Sequence, residues 1–248
     1  MVDLISIAGI VILIAIGVIA LKIFKSIFKA IFLVFSLLAI VMIIFGIILY
    51  NDVLDFQTNF PKSEKIMLLK ENDVLLGGFT GTFTGGTEPE YIHDLTSHQS
   101  YYYGNNLDFI LGNKFKLFIV ELDAFEDIET IEFGGEEISG DFALSLIKSD
   151  NTIEDYADYY IENQDLPEMA FDGIKEQLIE RFDTDTGLRG ALFGSFFSRA
   201  VQEDPLFLFT EYKKGNIIVY KETMLFRILK KVPLILIKRF IPQNGNNG

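Results

Sequence analysis

Two apolar runs open the chain: LISIAGIVILIAIGVIAL, residues 4–21, and AIFLVFSLLAIVMIIFGIILY, residues 30–50. At about 1.5 Å per residue, helices of these lengths reach about 27 and 32 Å, close to the roughly 30 Å hydrocarbon core of a bilayer. Neither run contains a charge, and a charged side chain at the centre of such a helix costs roughly 2.5–3.5 kcal/mol to insert. The pattern therefore predicts two membrane-spanning helices.

The short segment between the runs decides the predicted topology. It contains Lys22, Lys25 and Lys29, and basic residues in short loops favour the cytoplasmic side of a membrane. A helical hairpin with this loop inside places the amino terminus and the rest of the chain outside the cytoplasm. Because the segment has no Gly, Pro or Asn to reverse the chain, one long bent helix is the alternative. A cleaved signal peptide is disfavoured by Asp3, since such signals begin with Lys or Arg.

Charge divides the chain into three regions. Residues 1–50 have a net charge of +2; residues 51–220 contain 12 basic and 33 acidic side chains, a net charge of -21; residues 221–248 contain six basic and one acidic, a net charge of +5. An acidic body repels nucleic acid phosphates, so no nucleic-acid partner is expected. The absence of cysteine excludes disulfides, thiolate catalysis and Cys-ligated metals, and no cofactor is expected.

The fold class predicted is a membrane-anchored α+β protein. Its parts are a transmembrane hairpin (1–50), a polar linker (51–62), an acidic α+β domain (63–221), a basic amphipathic helix (222–242) and a disordered tail (243–248). Alternating apolar residues predict a hairpin from 65–69 and 74–76, strands at 77–86, 115–122 and 128–133, and a second hairpin from 206–212 and 217–220. Helical spacing predicts a helix capped by Ser139, then helices at 153–161, 169–182 and 188–202.

The two histidines of the chain lie among carboxylates. Glu90, His93, Asp94 and His98 fall within nine positions, and a loop could gather such side chains around a divalent cation. The spacing matches no known metal signature, and clustering of this kind is common in an acidic chain. These four residues are therefore weak metal-site candidates, and a solvated loop is the simpler interpretation.

Small residues recur along one predicted helix. Gly187, Gly190, Gly194 and Ser198 follow each other at spacings of three and four, which places them on one helix face. A face of small side chains lets another backbone approach closely. Close packing within the domain is the simpler explanation, and self-association through this helix is the alternative.

The last predicted helix combines basic and apolar residues. Arg227, Lys230, Lys231 and Lys238 lie along one stripe of residues 224–241, with a kink expected at Pro233. Such a helix is typical of segments that lie on a membrane surface. A terminal helix that packs on the acidic body and neutralises it is an equally weighted alternative.

These patterns predict location more clearly than activity. The function expected is that of an integral membrane protein with two spans, a non-enzymatic binding or assembly component of the cell envelope. The expected partners are the lipid bilayer and either a second copy or an envelope protein. A membrane-tethered metal-dependent hydrolase that uses Glu90, His93 and His98 is the alternative, so enzymatic activity stays open.

Overall fold

A computed structural model describes residues 4–82 and 89–233, and its first element is one long helix. Helix α1 covers Leu4–Asn59. Residues 22–29 continue this helix, so the two-helix hairpin expected from the sequence is not shown. The physical reason is local: the segment offers no residue that favours a turn. Within the described residues, one stretch, Ile27–Asn59, is long and apolar enough to cross a membrane, with a mean hydropathy of 3.2 in its best window.

The chain divides into two compact units, Met1–Asn51 and Asp52–Gly248. Residues 51–59, predicted as a polar linker, are helical and form the end of α1. Phe56 and Phe60, at the start of the second unit, pack against its core. Their rings lie 4.2 Å apart, and the Phe56 ring is 5.7 Å from that of Phe226. The acidic domain therefore begins with the last turns of α1.

A five-stranded sheet organises this domain, in the order β3-β2-β1-β4-β7. Its strands are β1 (Lys65–Glu71), β2 (Val74–Gly81), β3 (Glu90–Tyr91), β4 (Leu117–Glu121) and β7 (Ile217–Tyr220). Strands β1 and β4 are parallel, and the other neighbouring pairs are antiparallel. A separate hairpin joins β5 (Thr130–Phe133) to β6 (Glu136–Ser139). The predicted strands near 65–76, 115–122 and 128–133 are confirmed; residues 83–88 lie outside the described part.

Successive side chains of β1 and β4 point to opposite faces of the sheet, and each face has its own hydrophobic core. Met67 and Phe118 face the larger core, which contains most of the buried phenylalanines, whereas Leu68 and Ile119 face a smaller one. Helices α2 (Thr96–Tyr103) and α3 (Leu107–Leu111) cover the smaller core. The remaining helices are α4 (Gly140–Lys148), α5 (Thr152–Asn163), α6 (Phe171–Phe182), α7 (Asp185–Glu203), α8 (Phe207–Lys214) and α9 (Met224–Leu229). The sheet therefore has a helical layer on both faces.

One predicted strand is wrong. Residues 206–212 were expected to pair with 217–220 as a hairpin, but Phe207–Lys214 forms helix α8. Its buried residues Phe207, Glu211 and Tyr212 recur at a helical spacing. The buried Glu211 carboxylate accepts hydrogen bonds from Asn216 Nδ2 at 2.7 Å and Lys214 Nζ at 2.8 Å, which fixes the following turn. Strand β7 pairs with β4 instead.

Candidate functional site

Helix α7 is the element that the small-residue pattern predicted. It begins at a cap in which the Thr184 hydroxyl accepts a hydrogen bond from the backbone N–H of Gly187 at 3.1 Å. Its first half packs directly on strand β2. A Cβ atom at Gly190 would lie 2.5 Å from the carbonyl oxygen of Gly78, a distance that real Cβ atoms do not reach. Here the small residues serve close packing within the domain.

The second half of α7 lies at an open groove. Gly194, Ser195 and Ser198 line a cavity of about 530 Å³, and a second cavity of about 270 Å³ adjoins it. The two cavities share Ser195, Ser198 and three further lining residues, Tyr91, Ala191 and Gln202. We call this continuous space the α7 groove. The predicted small-residue face is therefore divided between internal packing and a surface depression.

The ends of the α7 groove differ in chemistry. Met67, Phe79 and Phe197 line the larger cavity, whereas Arg181 and Arg199 line the smaller one. Arg199 Nε pairs with Glu203 at 2.6 Å, and the Arg181 guanidinium lies 5.2 Å from the centre of the Phe182 ring. Glu132 also lines the smaller cavity, so the α7 groove joins an apolar end to a charged end and suits a ligand with both characters.

A buried lysine borders the apolar end of the groove. Lys65 is only 1% exposed, and its Nζ donates a hydrogen bond to the carbonyl oxygen of Ser63 at 2.6 Å. The same Nζ lies 4.8 Å from the centre of the Phe60 ring. Burial disfavours the charged form and lowers the pKa of Lys65 to about 8. This side chain therefore titrates much closer to neutral pH than an ordinary lysine.

The four metal-site candidates line one cavity of about 460 Å³. His93 Nδ1 lies 2.9 Å from the carbonyl oxygen of Phe182. Asp94 Oδ1 accepts a hydrogen bond from the backbone N–H of Thr96 at 2.8 Å. A hydrogen bond from the Thr96 side chain, and after it this backbone contact, lower the pKa of Asp94. Glu90 belongs to strand β3.

His98 differs from His93 in its surroundings. Burial lowers the pKa of His98, and its Nδ1 is buried without a hydrogen-bond partner in the described part of the chain. The structure thus brings the four candidates to one cavity. Nevertheless, residues 4–82 and 89–233 contain no group of three or more His, Asp or Glu side chains placed to hold a metal ion.

The basic carboxy-terminal segment is described as far as Pro233. In α9, Phe226 is buried, while Arg227 and Lys230 pair with Glu222 at 3.1 and 3.2 Å. These contacts lower the pKa of Glu222, together with the hydrogen bond from the Tyr212 hydroxyl, which is the largest contribution. The segment therefore packs on the domain through its apolar side. Of the helix predicted at 222–242, only Met224–Leu229 is helical within the described residues. Residues 234–242, which include Lys238, and the tail lie outside the described residues.

Sequence reasoning missed the α7 groove and the burial of Lys65. The serines and Gln202 give no signal, because exposed polar residues on a helix are ordinary. One signal was available for Lys65, because it is the first residue of a strand with many apolar side chains. Alternate residues of a strand face the same side, so Lys65 faces the core together with Met67 and Leu69. The groove depends on contacts between distant segments and leaves no local pattern.

Comparison with known proteins finds no relative of this chain. No family model matches it, and no curated protein and no solved structure matches it either. The functional argument therefore depends on the geometry and chemistry of its own residues.

Proposed function

We propose that this protein is a membrane-anchored, non-enzymatic binding or assembly component of the cell envelope. The observation that supports it is the end of α1. This apolar helix continues beyond Tyr50 and ends as part of the acidic domain, where Phe56 and Phe60 join the core. A domain built on the end of an apolar helix is held at a membrane surface, and its α7 groove is available to a ligand there.

Two spans, with the domain outside the cytoplasm, form the finer part of the proposal. A straight helix of 56 residues extends roughly 84 Å, much more than the roughly 30 Å of a bilayer core. Both apolar runs can therefore lie inside the bilayer only if the chain reverses direction at residues 22–29. Apolar residues gain roughly 0.3–0.6 kcal/mol each on insertion. The many Leu, Ile and Val residues of 4–21 therefore favour insertion of this run as well.

Single cysteines test this topology, because the native chain contains none. We expect Val2→Cys and Ser97→Cys to react with a membrane-impermeant maleimide on intact cells, and Ser26→Cys to react only after lysis. Labelling of Ser97→Cys alone would indicate one span with the domain outside. Labelling of Ser26→Cys alone would overturn the proposed orientation.

The α7 groove is the proposed binding surface. Ser198 is exposed at the groove, and Ser97 is exposed on helix α2 and does not line it. We expect Ser198→Cys, oxidised in membranes, to form a disulfide adduct with a second copy that carries a cysteine or with an envelope protein. A homodimer would migrate at twice the 28.1 kDa mass of the chain. Equal adducts from Ser97→Cys would contradict binding at the groove.

Metal analysis separates this proposal from the hydrolase alternative. Purified full-length protein is expected to contain no stoichiometric metal and to keep its melting temperature in a chelator. A bound metal ion that is lost in both His93→Ala and His98→Ala would overturn the proposal in favour of a metal-dependent hydrolase.

A further inference from the structure

Several segments of the chain meet at one edge of the domain because of the directions in which the strands run. Strand β1 begins at Lys65, shortly after α1 ends at Asn59. Because β4 is parallel to β1, its first residue, Leu117, lies at the same edge, paired with Ile66. Strand β7 runs the other way and ends there, with Tyr220 paired with Leu117. We call this side of the sheet the α1 edge.

Two hydrogen bonds fix the start of the basic segment at the α1 edge. The backbone N–H of Leu225 donates to Asp52 Oδ2 at 3.2 Å, and Lys116 Nζ donates to the carbonyl oxygen of Lys221 at 2.9 Å. Asp52 is two residues beyond Tyr50, the last residue of the second apolar run. If that run crosses a bilayer, as proposed above, Asp52 and the α1 edge lie at the lipid headgroups.

An exposed aromatic pair is joined to the same edge. Phe109 in α3 is 69% exposed and stacks on Tyr101 with ring centres 5.1 Å apart. Its neighbour Asp108 pairs with Lys221 at 3.5 Å, which brings α3 to the end of β7. Aromatic side chains are favoured at the interface between lipid and water, where their rings leave bulk water.

The segment of residues 221–233, which begins at the α1 edge, is basic, whereas the rest of the domain is acidic. The side chains of Lys221, Arg227 and Lys230 are 66%, 63% and 52% exposed. With the exposed Lys231 they give residues 221–233 four basic side chains against one acid, Glu222, whereas residues 51–220 have a net charge of -21. Asp52 and Asp108 contact this segment from the rest of the domain. An anionic lipid surface therefore attracts this edge and repels the remainder, which orients the domain.

We propose that the α1 edge binds an anionic phospholipid surface through Phe109, Lys221, Arg227 and Lys230. This inference rests on the proposed membrane anchor, not on the number of spans or the side of the domain, and adds a second, peripheral contact between the domain and the leaflet that it faces. The aromatic ring enters the headgroup region, and the basic side chains contact phosphate groups. Each basic residue near an anionic leaflet strengthens the attraction about fivefold.

Tryptophan fluorescence tests the contact, because the native chain has no Trp. The full-length Phe109→Trp variant is reconstituted in vesicles of phosphatidylglycerol and phosphatidylcholine that contain lipids brominated near the headgroup. We expect about half of its fluorescence to be quenched. Val74→Trp is the matched control: Val74, the first residue of β2, is 46% exposed and pairs with Glu71, at the end of β1 away from Lys65. It is expected to keep its fluorescence.

A charge variant completes the test. Combined Lys221→Gln, Arg227→Gln and Lys230→Gln substitutions in the Phe109→Trp background are expected to reduce the quenching in anionic vesicles to its level in pure phosphatidylcholine. Unchanged quenching would overturn the role of these cations. Equal quenching of Phe109→Trp and Val74→Trp, or none of either, would overturn the proposed contact. Extraction of the protein from membranes by alkaline carbonate would instead overturn the anchor itself, which separates the two failures.

Discussion

The distance between strand β2 and helix α7 is set by two glycines. Gly78 and Gly190 lie so close that a single Cβ on Gly190 would meet the Gly78 carbonyl oxygen at 2.5 Å. Both backbones belong to well-packed elements, so neither can retreat without disturbing buried neighbours. The α7 groove lies one to two turns further along the same helix, and its shape depends on this contact.

Replacement of Gly190 is expected to be costly for that reason. We expect Gly190→Ala to lower the free energy of unfolding by about 1–3 kcal/mol, since helix and strand must separate. Gly173→Ala in α6 is the control, because nothing lies within 4 Å of its added Cβ; it should stabilise the chain by about 0.5–1 kcal/mol. Thermal unfolding of both variants, followed by circular dichroism, measures the difference. Equal melting temperatures would contradict the close contact.

The buried Lys65 makes stability depend on pH. Its pKa is about 8 in the folded chain, against an ordinary value of 10.5. Between these values the unfolded chain binds more protons, so the contribution of Lys65 to stability rises with pH from about 8 to 10.5. Below pH 8 the folded state bears the cost of a buried charge.

Lys65→Met removes this dependence. We expect the variant to be more stable than the native chain by about 2 kcal/mol at pH 7 and to lose that advantage toward pH 10.5. Urea unfolding in detergent micelles at several pH values measures the free energy of unfolding of the variant and of the native chain. The contributions of the other titrating groups are the same in both and cancel in the difference. A difference that stays constant with pH would show that Lys65 is not desolvated.

At the scale of elements, the end of α1 has a different role from the one its composition indicates. Residues 51–59 are mostly polar, which favoured a linker. Phe56 is the one aromatic residue among them, beside the apolar Val53 and Leu54, and its ring contacts those of Phe60, Phe209 and Phe226. A single aromatic residue, with partners distant in sequence, thus converts a polar segment into part of the core.

Truncation of that ring tests the assignment. We expect Phe56→Ala to lower the free energy of unfolding of the domain by about 2 kcal/mol, less than for a fully buried ring, because Phe56 is only partly buried. Gln57→Ala, at the exposed next position, should have little effect. Limited proteolysis after residue 51 measures the result. We expect faster cleavage in Phe56→Ala and not in Gln57→Ala. Equal cleavage rates in the two variants would show that the segment is a linker.

Elements with a clear local signal were predicted well. The turn at residues 71–73 and the alternation around it indicated the β1–β2 hairpin, and Ser139 indicated the start of α4, where its hydroxyl accepts from Phe142 N at 3.2 Å. Helix α8 was missed because eight residues give too short a pattern to separate a helix from a strand. The choice of a helix at these residues depends on the burial of Glu211, which comes from the tertiary structure.

Over the whole chain, acidic and basic side chains are concentrated in different regions. The acidic residues of 51–220 repel one another, while residues 221–248 have a net charge of +5. We expect the melting temperature of the full chain to rise by about 2–5 °C when NaCl increases from about 10 to 300 mM, because salt screens this repulsion more than it weakens exposed ion pairs. Differential scanning calorimetry measures it. A fall in melting temperature would show that ion pairs dominate.

The sequence by itself determined the apolar amino-terminal helix, the α+β class, the acidic body and most of the regular elements. These features follow from charge counts and from apolar periods within a few turns, and both can be seen along the chain. Only the tertiary structure decided the fate of residues 51–59, the helix at 207–214, the burial of Lys65 and the division of the α7 face into packed and open halves. Each of these depends on contacts such as that of Gly78 with Gly190, which join residues far apart in sequence.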